Sequence, residues 1–165
     1  MLSEPKFRTD VEIEIDYHAF LIYDENNADD QASDTAERAL EDANNSGRRV
    51  GAADGIVAVM TAVQFNYRAP MRVELWPGEP GDDAANWDDV ADIDLNAPTG
   101  KLMFRMYGPA DEAVPCEAPA GRYRARISAR GYIHSDPQGG GLDDYRVQLW
   151  PRDPCQGLAR LGEDH

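Results

Sequence analysis

Apolar and charged side chains alternate over residues 11–17, and this alternation predicts a β-strand. Every second side chain is apolar, namely Val11, Ile13, Ile15 and Tyr17. This is the period of a strand with one buried face. The apolar residues 19–23 that follow either extend this strand or, after a kink near Tyr17 and His18, form a second one.

Six further segments have the pattern of strands. Residues 56–63 are apolar at both parities and rich in β-branched side chains, which favours a central buried strand over a helix. Between turns rich in Pro and Gly, strands are also predicted at residues 71–76, 90–95, 101–107, 122–130 and 145–150. The pattern indicates a mainly β fold, an antiparallel β-sandwich of seven to eight strands with one short surface helix.

The helix is predicted over residues 33–45. Ser33 is a candidate N-cap, good helix formers follow it, and Gly47 is a stop signal. The apolar positions form a thin stripe of Ala36, Ala39, Leu40 and Ala43. We therefore expect the helix to lie loosely on the surface.

Two of the predicted strands share a sequence pattern. Residues 72–80 and 146–154 both read Arg-Val-x-Leu-Trp-Pro-x-acid-Pro, at a separation of 74 residues. The two strands are therefore expected to occupy equivalent places in the fold. A single repetition indicates pseudo-symmetry, because repeat proteins need about three units.

With 165 residues, of which 42% are hydrophobic, the chain is expected to form one domain over residues 1–165, with residues 1–9 and 156–165 as flexible tails. It has no apolar run of the roughly 18 residues that a membrane span needs, and its N-terminus is too polar for a signal peptide. We expect a cytoplasmic protein in which Cys116 and Cys155 are free thiols.

The negative charge is concentrated in two segments. The net charge is −15, and residues 24–42 and 77–100 each contribute −7. General adaptation to salt would spread the acids more evenly over the surface. The concentration favours an acidic patch that attracts a basic protein and repels nucleic acid and anionic membranes, and the alternative is that the acids lie on ordinary solvated loops.

The residues offer little for catalysis or metal binding. The three histidines, His18, His134 and His165, accompany no nucleophile motif. Neighbouring carboxylates such as Asp82 and Asp83 point to opposite sides, and no calcium-loop spacing occurs. The sequence therefore predicts no enzyme, no metal and no cofactor. Strand 122–130 places four arginines on one face, where pairing with nearby acids is a simpler explanation than nucleic-acid binding: Arg122, Arg124, Arg126 and Arg130.

Two short segments resemble a known family. Residues 15–20, with the core Tyr-His-x-Phe, and residues 51–55, with the core Ala-Ala-Asp-Gly, are similar to the competence protein J family. That resemblance implies a small β-rich inhibitor of a DNA-entry nuclease. Gly51 and Gly55 are expected to allow a turn with positive φ. The matched positions, for which a structural role is expected, are Tyr17, His18, Phe20, Ala53, Asp54 and Gly55.

These observations lead to the hypothesis of an acidic inhibitor or immunity-type protein that blocks the nucleic-acid groove of a nuclease, with a nuclease encoded nearby as the first candidate partner. It requires the two acidic segments to converge in space. The alternative is a non-catalytic ligand-binding or sensory β-sandwich whose acidity serves solubility or salt adaptation. The predicted partner-binding residues are Asp29, Asp30, Asp82, Asp83, Trp87, Asp88 and Asp89.

Overall fold

The computed structural model describes residues 4–16, 18–26, 34–61, 65–106, 113–131 and 141–152. In this part of the chain, ten strands form two sheets and one helix packs outside them. The helix, α1, is Thr35–Ser46. The strands are β1 (Phe7–Ile15), β2 (Ala19–Asp24), β3 (Val50–Ala53), β4 (Ile56–Met60), β5 (Asn66–Leu75), β6 (Asp89–Ala97), β7 (Lys101–Met106), β8 (Val114–Glu117), β9 (Gly121–Arg130) and β10 (Asp144–Pro151).

Each sheet has five strands. The order in the first sheet is β1-β5-β10-β9-β6, and in the second it is β3-β4-β2-β7-β8. Neighbouring strands run antiparallel except for β5 and β10, which are parallel. The predicted mainly β sandwich with one short surface helix is confirmed. The strand count is higher than predicted, because β3 and β8 have only four residues each and show no periodic pattern.

The core lies between the two sheets. Ile13 and Ile15 of β1 are buried in it, as the alternation predicted. The rings of Phe20 in the second sheet and Tyr145 in the first meet edge to face, with centroids 5.1 Å apart. β1 begins at Phe7, within the segment expected as an N-terminal tail, and the expected C-terminal tail of residues 156–165 lies outside the described residues.

The chain passes from the first sheet to the second at His18. This residue has a φ of 64° and an exposed side chain, and its carbonyl accepts a hydrogen bond from the Thr61 amide at 2.7 Å. A second strand after a kink is thus confirmed. It pairs with β4 and β7 of the second sheet.

Helix α1 covers the outer face of the second sheet. Its buried alanines pack with outward-facing side chains of β2 and β4. A Cβ added at Gly51 of β3 would lie 2.7 Å from the carbonyl oxygen of Ala39 and closer still to the backbone of Ala43. The expectation of a loosely packed helix is wrong, because the missing side chain lets the backbones of helix and strand approach closely.

No helix in the described segments is long and apolar enough to cross a membrane.

Candidate functional site

The two strands that share a sequence pattern are neighbours in the middle of the first sheet. β5 and β10 run parallel in equivalent register, so that Arg146 lies beside Arg72 and Gln148 beside Glu74. The prediction of equivalent places is confirmed. Glu74, Arg146 and Gln148, whose side chains face outward, are buried nevertheless, with whole-residue exposures of 7%, 7% and 2%. Another part of the chain must therefore cover this face.

That cover is the connection between β5 and β6, residues 77–88, which we call the strap. Prolines and glycines at its start end β5, because proline cannot donate to the strand ladder. A 3-10 turn follows at Ala84–Asn86. The carboxylate of Asp82 accepts a hydrogen bond from the Ala84 amide at 2.9 Å and so fixes the entry to this turn.

An ion pair ties the strap to the sheet. The guanidinium of Arg146 donates two hydrogen bonds to the carboxylate of Asp83, at 2.6 and 2.7 Å. The side chain of Arg146 is 9% exposed and that of Asp83 is 36% exposed. The hydrogen bonds from Arg146 lower the pKa of Asp83 below its usual value.

Trp87 closes the far end of the strap. Its ring centroid lies 4.3 Å from the guanidinium carbon of Arg130 and 4.7 Å from that of Arg146. These are distances at which a cation is attracted to an aromatic face. The next residue, Asp88, donates its amide to the Ala129 carbonyl at 2.8 Å and accepts from the Gly131 amide at 2.9 Å. The strap is thus held at both ends.

The arginines of β9 pair with acids of the second acidic segment. Register places Asp92 of β6 opposite Arg126 and Asp94 opposite Arg124. Arg126 donates to both oxygens of Asp92, at 2.9 and 3.1 Å, and to Glu79 of the strap at 3.2 Å. Arg124 donates to Asp94 at 2.8 Å.

Two residues in these pairs have shifted pKa values. The hydrogen bond from Arg124 lowers the pKa of Asp94, and the hydrogen bonds to Asp92 raise the pKa of Arg126. The preferred explanation for the arginine face, pairing with nearby acids, is therefore confirmed at Arg124 and Arg126, and Arg130 pairs with Asp144 at 3.1 Å.

Five of the predicted partner-binding residues lie together in or beside the strap. Asp82 and Asp88 are exposed, whereas Asp83 is paired with Arg146 and Asp89 with Arg49 at 3.3 Å. Trp87 is half-buried between the strap and the sheet. The other two, Asp29 and Asp30, lie outside the described residues.

The first acidic segment has a different position. Asp24 is fully buried and accepts hydrogen bonds from the amides of Thr99 and Gly100, at 3.0 and 3.1 Å. The acids of α1 lie outside the second sheet, on the side of the sandwich opposite the strap. Asp24 thus meets the second segment only at its end. The expected convergence is wrong for the acids of α1 and of the strap, because α1 covers the second sheet and the strap covers the first.

The residues of the family resemblance have structural places. Phe20 is buried in the core, and Ala53 is half-buried at the end of β3. Asp54 and Gly55 form the following turn, with φ values of 45° and 90°, and the Asp54 carboxylate accepts from Arg38 at 2.7 Å. Gly51 lies in a strand and serves close packing instead of a turn. Tyr17 is outside the described residues.

The two resembling segments are separated in space. His18 is hydrogen-bonded to Thr61, just after the last residue of β4. The turn of Asp54 and Gly55 lies at the other end of β4, immediately before the first residue of that strand. The segments therefore shape two turns at opposite ends of one strand.

Within the described ranges, no group of three or more His, Cys, Asp or Glu side chains is arranged to hold a metal ion. Cys116 is a buried free thiol whose pKa is raised by burial and, secondarily, by the charge of Glu117. Cys155 is outside the described residues.

The sequence interpretation missed Glu74, Arg146 and Gln148 as members of this site. Their signal was present in the shared pattern of β5 and β10, where polar side chains alternate with buried apolar ones on both strands. Polar residues on adjacent central strands form a continuous polar surface once the strands pair in register.

A scan of the sequence against protein-family models finds no match, and a search of the curated proteins finds none either. Two solved structures share the fold. ComJ from Bacillus subtilis, an inhibitor of the DNA-degrading activity of NucA, superposes with a TM-score of 0.57 and 15% identity, covering 92% of this chain and 99% of ComJ. A protein described as crocagin biosynthetic gene J superposes with a TM-score of 0.61 and 17% identity. The superposition covers 89% of this chain and 99% of that protein's chain.

Proposed function

We propose that this protein is an inhibitor that binds a nuclease and blocks its nucleic-acid groove with the strap and the outer face of the first sheet. The fold likeness to ComJ supports this class of function. We propose no catalytic role. We also propose that the protein acts in the cytoplasm and that its partner is a basic protein encoded by a nearby gene.

The observation that carries the proposal is the fixation of the strap by the Asp83–Arg146 pair, with exposed carboxylates on either side. Asp82 is held by its bond to the following turn, and Asp88 by its bond to the Gly131 amide. Both side chains face solvent. Carboxylates that are already fixed lose little conformational freedom on binding, which favours a complex.

The mechanism is electrostatic complementarity. Exposed carboxylates stand in the positions of nucleic-acid phosphates and meet the lysines and arginines of the groove. Asp83, Trp87 and Asp89 support this surface from within the strap and the start of β6. We also propose that Asp29 and Asp30 contact the partner.

The test is inhibition of DNA degradation by purified protein. The nucleases are one encoded beside this gene and a NucA-type enzyme, assayed with the inhibitor added before or after the DNA. We expect stoichiometric inhibition in competition with DNA. The inhibition should weaken markedly between about 50 and 500 mM salt, because the Debye length becomes shorter. Undiminished degradation by both nucleases at saturating protein would contradict the proposal.

A further inference from the structure

A cavity of about 360 Å³ opens between the strap and the first sheet. Its volume is in the range of ligand-binding pockets. The sheet contributes four lining side chains and the strap contributes two carboxylates. They are Glu74, Trp76, Arg146, Gln148, Asp82 and Asp83.

Gln148 lies at this cavity and holds a buried, unpartnered acceptor. Its Nε2 donates to Oε1 of Glu74 at 3.0 Å. Because a carboxylate can only accept hydrogen bonds, the amide nitrogen of Gln148 must face Glu74 and the amide oxygen must point away from it. That end, Oε1 of Gln148, is buried and has no hydrogen-bond partner in the described part of the chain. A buried acceptor without a donor is costly, and its unbalanced negative dipole adds to the negative potential beneath the cavity.

The charges around the cavity favour a cationic donor. The lining holds three carboxylates and one guanidinium, a formal charge of −2. The terminal nitrogens of Arg146 both donate to Asp83, so its charge is compensated, although its Nε is buried without a partner. In the part of the chain that the structure describes, Glu74, 7% exposed, has no arginine or lysine bonded to it and accepts hydrogen bonds from the neutral donors Trp76 and Gln148.

The shared pattern of β5 and β10 supplies an internal template for the occupant. Trp150 is the counterpart of Trp76, and the guanidinium carbon of Arg126 lies 5.2 Å from its ring centroid. That same guanidinium donates to the carboxylates of Asp92 and Glu79. Carboxylates lie close to Trp76, as they do to Trp150. Among the described residues, however, no guanidinium contacts the ring of Trp76.

We propose that this cavity binds one alkylguanidinium or alkylammonium group, which donates to the carboxylates and packs on Trp76. Its source is an arginine or lysine side chain of the inhibited nuclease, an assignment that rests on the proposed function. The cation site itself does not depend on it.

The test uses n-propylguanidinium as the probe and the full chain labelled with ¹⁵N. The reporters are the indole N–H of Trp76, assigned with Trp76→Phe, and the side-chain amide of Gln148. We expect saturable shifts of both signals with a dissociation constant in the millimolar range, about 1 to 10 mM. The neutral isostere N-propylurea is expected to produce no saturable shift. No shift with n-propylguanidinium, or equal shifts with the urea, would overturn the proposal.

Two variants locate the site. Glu74→Gln keeps an acceptor for Trp76 and Gln148 but removes the charge, and it should weaken binding about tenfold. Asp82→Asn keeps the acceptor for the Ala84 amide at an exposed rim position but removes the charge, and it should weaken binding about threefold. Glu37→Gln on α1 is the control for loss of one charge elsewhere and should leave binding unchanged. Equal affinities in all three variants would overturn the assignment.

Adding the nuclease identifies the source of the cation. If a partner side chain fills the cavity, n-propylguanidinium no longer shifts the Trp76 signal in the complex. If it still does, the assignment to the partner is overturned. A protein that binds the probe but inhibits neither nuclease would refute the proposed function alone, and would support a free small amine as the occupant. A protein that inhibits a nuclease but does not bind the probe would refute the cavity proposal alone.

Discussion

The Asp83–Arg146 pair should contribute measurably to the stability of the native state. Asp83→Asn keeps the shape of the side chain but removes the charge that Arg146, 9% exposed, faces. Removing one partner of a fully buried ion pair costs about 3 to 5 kcal/mol. Because the Asp83 side chain is 36% exposed, solvent screens part of this effect. We expect a loss of about 2 kcal/mol and a decrease in Tm of about 4 to 8 °C.

The effect should also depend on pH. Arg146 lowers the pKa of Asp83 in the folded state from its ordinary value of 3.8, so the folded protein binds a proton there less readily than the unfolded chain does. The stabilisation by this carboxylate is complete above the unfolded-state pKa and is lost as the pH falls through the lower folded-state value. The difference in the free energy of unfolding between wild type and Asp83→Asn should therefore become smaller below about pH 4.

Urea unfolding followed by tryptophan fluorescence, at pH 7 and at pH 3, measures both effects. Asp82→Asn is the matched control, because the neighbouring carboxylate is exposed and Asn still accepts the Ala84 amide bond. It should change the free energy of unfolding by less than about 0.5 kcal/mol. A loss as small as this for Asp83→Asn at pH 7, or an undiminished difference at pH 3, would refute the role given to the pair.

Three further predictions concern other parts of the fold. Asp24→Asn turns an amide donor toward the N–H groups that the buried carboxylate now satisfies, and should lower the free energy of unfolding by about 3 kcal/mol in urea titrations; an unchanged midpoint would contradict this. Gly51→Ala forces β3 and α1 apart and should cost about 1 to 3 kcal/mol, seen as a lower Tm, whereas Gly78→Ala, where nothing lies within 4 Å, is the control. In a Cys155→Ser background, the buried Cys116 should resist a thiol reagent until urea unfolds the protein, and rapid native labelling would show that it is accessible.

The strands could be predicted where burial on one face imposes alternation. β6, β9 and β10 follow the predicted segments closely, whereas β1 begins four residues before the predicted segment and ends two residues before its end. β3 could not be recognised, because its four residues are Val-Gly-Ala-Ala and its central feature is the close approach of a helix to Gly51. That approach is set by tertiary packing and leaves no periodic signal.

The distribution of charge was harder to predict, because the partners of a charge depend on strand order. Residues 77–100 contain seven acids and no base. Asp92 of β6 nevertheless pairs with Arg126 of the neighbouring strand β9, which is 34 residues further along the sequence. The count along the chain therefore overstated the acidity of this surface. The shared pattern of β5 and β10 was visible, but their direct parallel pairing became apparent only in the sheet order.

The association rate of the complex tests the role of the strap most directly. Stopped-flow mixing with the nuclease at low salt should compare two variants that each lose two charges, Asp82→Asn/Asp88→Asn on the strap and Glu37→Gln/Glu41→Gln on α1. We expect the strap variant to associate about tenfold more slowly than wild type, because rim charges act mainly on association, and the helix variant to differ by less than about twofold. Equal slowing by both variants, or no slowing by the strap variant, would contradict a partner surface at the strap.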